Sequence, residues 1–126
     1  AAFTKKHAGE KLVMVTAYDV CSAERADAVG VDGLLVGDSL GNVVQGRVST
    51  RGVSVQDIAY HLRCVTSAPR RSLIVGDMPF GSYESSVSTA VENALYLVKH
   101  GNADAVKLEG PRYEAVRAIT NAGVPV

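Results

Sequence analysis

The sequence is poor in the features that mark several functional classes. Its only cysteines are Cys21 and Cys64; they show no metal-ligand spacing and both fall in segments with helical patterning. Reduced thiols and an intracellular, cytoplasmic setting are therefore expected. Charge of one sign is also missing, because thirteen basic residues balance thirteen acidic ones. With aromatics at 6% and no Lys/Arg stripe interleaved with them, nothing points to nucleic acid or a membrane surface. A small-molecule partner is the better expectation. No apolar run approaches the roughly 18 residues of a membrane span, and the start, Ala1 to His7, leads to no signal-type apolar core. Position 1 is Ala rather than Met, so the chain is expected to be processed or to be a piece of something longer.

What is present is an ordinary globular composition, 47% hydrophobic and 21% charged over 126 residues. That suffices for one domain, residues 1–126, with a modest core. Short runs rich in Val, Leu and Ile recur at Leu12 to Thr16, Gly33 to Val36, Leu73 to Val75, Ala105 to Leu108 and Val124 to Val126. They lack polar alternation, as parallel strands covered on both faces do. Helical patterns separate them: 21–29, ended by Gly30; 55–65, with Ser54 and Asp57 spaced as a capping pair; 88–100, ended by Gly101; and 113–122, ended by Gly123.

The order β-α-β-α-β-α-β-α-β predicts an α/β architecture with right-handed parallel crossovers. Either an open doubly wound sheet or a (β/α) barrel satisfies it. No Gly-x-Gly-x-x-Gly follows the first strand and no Walker-type Gly-Lys-Ser/Thr occurs, which favours the barrel. A (β/α)8 TIM barrel takes about 250 residues. Four βα units plus a fifth strand would then be roughly its first half.

Several strands end in acids: Asp38 after Leu-Leu-Val-Gly, Asp77 after Leu-Ile-Val-Gly, and Glu109 after Val-Lys-Leu. In a barrel these ends surround one mouth, where active sites are built. Three carboxylates suit a hard divalent cation such as Mg²⁺ and, without His or Cys, suit zinc poorly. Lys107 lies two residues before Glu109, so on a strand both point to one side. An ammonium there would hold a substrate carboxylate or oxyanion beside the metal. The plainer alternative is that Asp and Ser after a strand serve as N-caps or turn formers. Asp19, just before a helical segment, is read as such a cap. His61 is read as a packing or surface histidine, Tyr83 and Glu84 as a solvated loop in preference to lid residues, and His7 and His100 as carrying no motif.

Four stretches in order, "VTAYD" (15–19), "VGDSLGNVVQG" (36–46), "DMPFGSY" (77–83) and "ADAVKLEG" (103–110), resemble the ketopantoate hydroxymethyltransferase family, over essentially the whole chain. The resemblance implies a (β/α)8 barrel that binds Mg²⁺ and moves a one-carbon unit from 5,10-methylenetetrahydrofolate to 3-methyl-2-oxobutanoate, giving 2-dehydropantoate through a Mg²⁺-stabilised enolate. By position it implies Asp38, Asp77 and Glu109 as metal-site carboxylates, Glu109 acting through water. Ser39 with the backbone of Asp38 would grip the oxo-acid carboxylate, and Lys107, with Asp38 and Asp77, would complete the substrate site. It also implies a homo-oligomer. The family's general-base glutamate and a His-Ile-Gly segment fall beyond the point matched by Val126, so this chain by itself is expected to be incomplete for catalysis. Arg51-Gly52 and Pro111 depart from the family's usual Leu-Pro and second Gly. Two other readings remain: a ligand-binding or assembly half-barrel without turnover, and a Mg²⁺-dependent 2-oxo-acid enzyme of the phosphoenolpyruvate mutase and isocitrate lyase kind.

Overall fold

The computed structural model describes residues 8–68 and 70–126; His7 and the rest of residues 1–7 lie outside them. Four parallel strands form one sheet in the order β1-β2-β3-β4: Met14–Thr16, Gly33–Val36, Leu73–Asp77 and Ala105–Lys107. Spatial order equals chain order. A doubly wound sheet reverses its strand order at a switch point, and these four strands have no such reversal.

Among the described residues five α-helices accompany the strands: α1 Val20–Ala28, the short α2 Leu40–Val43, α3 Val55–Thr66, α4 Val87–Gly101 and α5 Tyr113–Asn121. Packing of α1 on α3, α3 on α4 and α4 on α5 sets these helices side by side. Their starts obey local chemistry. Asp19 accepts from Ser22 N–H at 2.7 Å to cap α1, and Ser54 and Asp57 form a reciprocal capping box on α3. At the opposite end of the sheet from the acids, Asp27 of α1 accepts from the backbone N–H groups of Arg71 and Ser72 at 2.9 and 2.8 Å and from the Ser72 hydroxyl, pinning the entry to β3.

One face of the sheet is the core. Leu34, Val36, Ile74 and Val106 join Ile58, Leu62 and Leu97 from the helices, all essentially inaccessible to water. A methyl group at Gly76 would meet Leu62 at 3.0 Å, which places that glycine on the helix side. Alternate residues of each strand turn the other way. On that second face Met14 is 51% exposed and Leu73 39%, because no described element lies over them; the covering of both faces expected from the unbroken apolar runs holds only in the middle of the sheet.

Most boundaries shift by a residue or two, β3 running on to Asp77 and β4 stopping at Lys107, and three differences have a clear cause. Val124 to Val126 form no strand; one bond, Val106 N–H to the Pro125 carbonyl at 2.9 Å, joins them to β4. Pro125 has no N–H to continue a ladder. The first strand starts at Met14 rather than Leu12, since the Val13 carbonyl is taken by the N–H groups of Asp32 and Gly33. Gly101 does not cap α4: it lies inside the helix, and Asn102 adopts the left-handed conformation at φ 59°. Glycine is needed at 101 for space, because a β-carbon there would stand 2.7 Å from Leu62 Cδ1.

Candidate active site

The expected site residues converge at the C-terminal ends of β2, β3 and β4. Asp77 is the last residue of β3 and stands in register opposite Lys107, the last of β4. Both side chains project from the face turned away from the helices. Lys107 Nζ donates to Asp77 Oδ1 at 2.8 Å and to Glu109 Oε1 at 3.0 Å. The second Asp77 oxygen accepts from the Asp38 backbone N–H at 3.1 Å. Asp77 is thereby held by two strands at once, and at 4% exposure it is the one buried charged residue among those described.

The electrostatics follow from that burial. Loss of water pushes the Asp77 carboxyl above its ordinary range; the bonds from Lys107 and from Asp38 N–H pull the other way, and the nearby Asp38 carboxylate adds to the rise. For Lys107, burial alone would lower the ammonium, but its bonds to Asp77 and then Glu109 outweigh that and leave it raised. The lysine is a fixed cation at this mouth.

The cap reading of Asp38 and Ser39 can be tested against their bonds. Ser39 sits at the N-cap position of α2, yet its side chain caps nothing. Its hydroxyl is instead 2.7 Å from the Tyr18 hydroxyl, on the loop after β1. The Asp38 carboxylate caps no helix and has no hydrogen-bond or ion-pair partner among the described residues. Neither side chain is used for local structure, so both remain available to a ligand. Gly37 keeps that space open: a β-carbon there would lie 3.2 Å from Ser39 Oγ and 3.5 Å from Asp77 Oδ2.

Among the described residues no group of three His, Cys, Asp or Glu side chains is arranged to hold a metal ion. Glu109 is drawn to Lys107 and does not close a three-carboxylate cage with Asp38 and Asp77. The donor chemistry nevertheless fits Mg²⁺, which is commonly held by one or two carboxylates together with water and substrate oxygens. Asp38 and Asp77 supply such a pair.

Two tyrosines lie near the site, both within the motifs: Tyr18, which carried no role in the sequence reading, and Tyr83, which was read as solvated loop. Tyr18 pairs with Ser39 as described. Tyr83 is buried rather than solvated, at 9% exposure, and its hydroxyl accepts from the Glu109 backbone N–H at 3.3 Å. Arg112 lies over its ring, 6.0 Å from the centroid. Glu84 accepts from the N–H groups of Gly81 and Tyr83, at 2.7 and 3.2 Å, and so shapes the loop that carries Tyr83. His61 packs edge-on against Tyr18 and Tyr60 and bonds the Tyr18 carbonyl at 2.8 Å. In the loop after α2, Arg47 donates to the Gly52 carbonyl at 2.7 Å and ties down the 47–54 segment.

The sequence pattern of the ketopantoate hydroxymethyltransferase family matches residues 2–126. The chain belongs to this family. It is 50% identical over 123 residues to the 3-methyl-2-oxobutanoate hydroxymethyltransferase of Clostridium novyi (strain NT), covering 96% of this chain and 45% of that protein. With the enzyme of the same name from Ignicoccus hospitalis it shares 55% identity over 120 residues, covering 94% and 45%. This member of the ketopantoate hydroxymethyltransferase family thus spans about half the length of the curated relatives it matches. Among solved structures it is similar to phosphoenolpyruvate phosphomutase from Streptomyces platensis subsp. rosaceus, with TM-score 0.70 and 14% identity over 89% of this chain and 45% of that one. It is also similar to 2,3-dimethylmalate lyase of the PEP mutase/isocitrate lyase superfamily, with TM-score 0.70 and 15% identity over 96% and 48%. At that identity the likeness is one of fold.

Proposed function

We propose that the polypeptide carrying this segment transfers a hydroxymethyl group from 5,10-methylenetetrahydrofolate to 3-methyl-2-oxobutanoate, giving 2-dehydropantoate. In this reading the four strands are the first half of a (β/α)8 barrel. The supporting observation is the Asp77–Lys107 pair beside the unpartnered Asp38 carboxylate and the Ser39 hydroxyl, which caps no helix, all at one strand-end mouth, in a chain about half identical to enzymes of that name.

Ser39 O–H binds the carboxylate of the oxo acid, while the Asp38 backbone N–H, expected to share that grip, is spent on Asp77 Oδ2 at 3.1 Å. Lys107 adds a fixed positive charge, and Asp38 and Asp77 would hold Mg²⁺, with Glu109 reaching it through water. When bound, the cation supplies Lewis-acid charge for the keto and carboxylate oxygens, which makes the proton at C3 easier to remove. The residue that takes that proton is assigned outside these 126. Glu84, the other acid near the mouth, is already committed to Gly81 and Tyr83. Mg²⁺, homo-oligomeric assembly and a cytoplasmic location are parts of the same proposal, supported by family membership. Among the described residues β1 has no strand on its outer side, which also favours association with further strands.

The test is deuterium exchange at C3 of 3-methyl-2-oxobutanoate, followed by proton NMR with Mg²⁺ and then with excess EDTA. Exchange by the native polypeptide that stops with EDTA is the expected result. Absence of exchange in a sample that still binds the oxo acid would favour the second reading, a segment that grips ligand and does not deprotonate it. Absence of both would end the proposal.

A further inference from the structure

Tyr18 approaches Ser39 from a different strand, and its surroundings hold it in place. The preceding residue, Ala17, donates its N–H to the Leu35 carbonyl at 3.1 Å. The following residue, Asp19, is committed to capping α1. The Tyr18 carbonyl accepts from His61 Nδ1 at 2.8 Å, and the His61 ring stands at 84° to the phenol ring. Backbone and ring are thus fixed from β2, α1 and α3. The phenol hydroxyl ends 2.7 Å from Ser39 Oγ.

Resting on the function proposed above, we propose that Tyr18 is a positioning residue: its O–H donates to Ser39 Oγ and so aims the single Ser39 proton at the carboxylate of the 2-oxo acid. A serine hydroxyl has one proton and two acceptor lone pairs and rotates to suit its neighbours. Without Tyr18, Ser39 Oγ is free to turn and accept from a backbone N–H of α2, as a serine at a helix N-cap position ordinarily does. With Tyr18 filling one lone pair, the proton has to point elsewhere, and the open direction is the mouth. A phenol is the stronger donor of the two hydroxyls, which sets the direction of the relay. Binding an anion at the far end polarises both bonds in the same sense, so the two strengthen each other. Preorganisation of this kind lowers the cost of ordering the grip at the moment of binding.

The test is calorimetric binding of 3-methyl-2-oxobutanoate with Mg²⁺ to the native polypeptide and to Tyr18→Phe, Ser39→Ala, Ser39→Thr and the double variants. Tyr18→Phe removes one oxygen and keeps the ring that packs on His61, and thermal melts establish that each variant folds. The expected result is a loss of roughly three- to tenfold in affinity for Tyr18→Phe. That loss vanishes in the Ser39→Ala background and returns in Ser39→Thr, which restores a hydroxyl. An unchanged affinity in Tyr18→Phe overturns the proposal. The same factor of loss with and without the Ser39 hydroxyl also overturns it, since a merely structural tyrosine behaves that way. Should Ser39→Ala alone bind as tightly as the parent, the assignment of Ser39 fails and this inference falls with it. No Mg²⁺-dependent binding by the parent is the separate failure of the proposed function.

Discussion

Asp77 and Lys107 face each other across adjacent parallel strands, with the ammonium 2.8 Å from one carboxylate oxygen and the Asp38 N–H 3.1 Å from the other. The carboxylate is buried while the lysine side chain remains 38% exposed. The lysine therefore compensates for the acid's lost water and still reaches the mouth.

Replacing Lys107 with Met leaves Asp77 buried without its cation. Burial already raises the Asp77 carboxyl above 3.8, so its ionised form disfavours the folded state, and the variant enlarges that cost. The sign follows from linkage: well below pH 3.8 the carboxyl is protonated in both states and the cost vanishes, whereas it grows as pH rises through the raised folded value. The expected outcome is a destabilisation of about 1–3 kcal/mol at neutral pH, limited by the exposure of Lys107. Urea melts from pH 3 to 7.5 check it. A deficit that stays constant with pH contradicts this account of the pair.

Asp38→Ala and Asp77→Ala separate ligand binding from folding. Both are expected to abolish Mg²⁺-dependent binding of the oxo acid. Their melts should differ, because the Asp38 carboxylate has no partner among the described residues while Asp77 anchors Lys107 and the Asp38 N–H. Asp38→Ala should thus melt within about 0.5 kcal/mol of the parent. Retained Mg²⁺-dependent binding in either variant would remove that residue from the proposed metal pair.

Gly101→Ala tests the close approach of α3 and α4. Alanine is ordinarily the better helix former by about 1 kcal/mol, yet here its methyl would press within 2.7 Å of Leu62 Cδ1 and 3.0 Å of Leu62 Cβ. Overpacking costs about 1–3 kcal/mol. The expected outcome is a lower melting midpoint in spite of the gain in propensity. A higher midpoint would show that Leu62 can rearrange freely.

The glycine at 101 also shows where sequence reasoning stops. A glycine after a helical pattern suggests a C-cap, and at Gly30 and Gly123, with φ near 83° and 89°, it lies just past the helix in the left-handed conformation. At 101 the same local signal has another cause, contact with a helix thirty-nine residues away in the chain. The short helix α2 is similarly hidden, since Leu-Gly-Asn-Val has no periodicity to read and Gly41 packs close to Val53 of the next segment.

The order of the first four strands and the four longer helices, the Asp19 and Ser54–Asp57 caps, and the placing of acids at strand ends were legible in the sequence, whereas the fifth strand expected at Val124 to Val126 does not form. Each depends on residues a few positions apart, through backbone periodicity and local hydrogen bonds. The motifs also carried the family. Tertiary structure alone decided that Asp77 meets Lys107 and the Asp38 N–H, that Ser39 pairs with Tyr18 instead of capping α2, and that Tyr83 is buried beside Glu109. Those pairings depend on strand register and on the packing of loops at one end of the sheet. A one-residue change of register turns every strand side chain to the opposite face, and no local pattern in the sequence specifies which partner stands opposite.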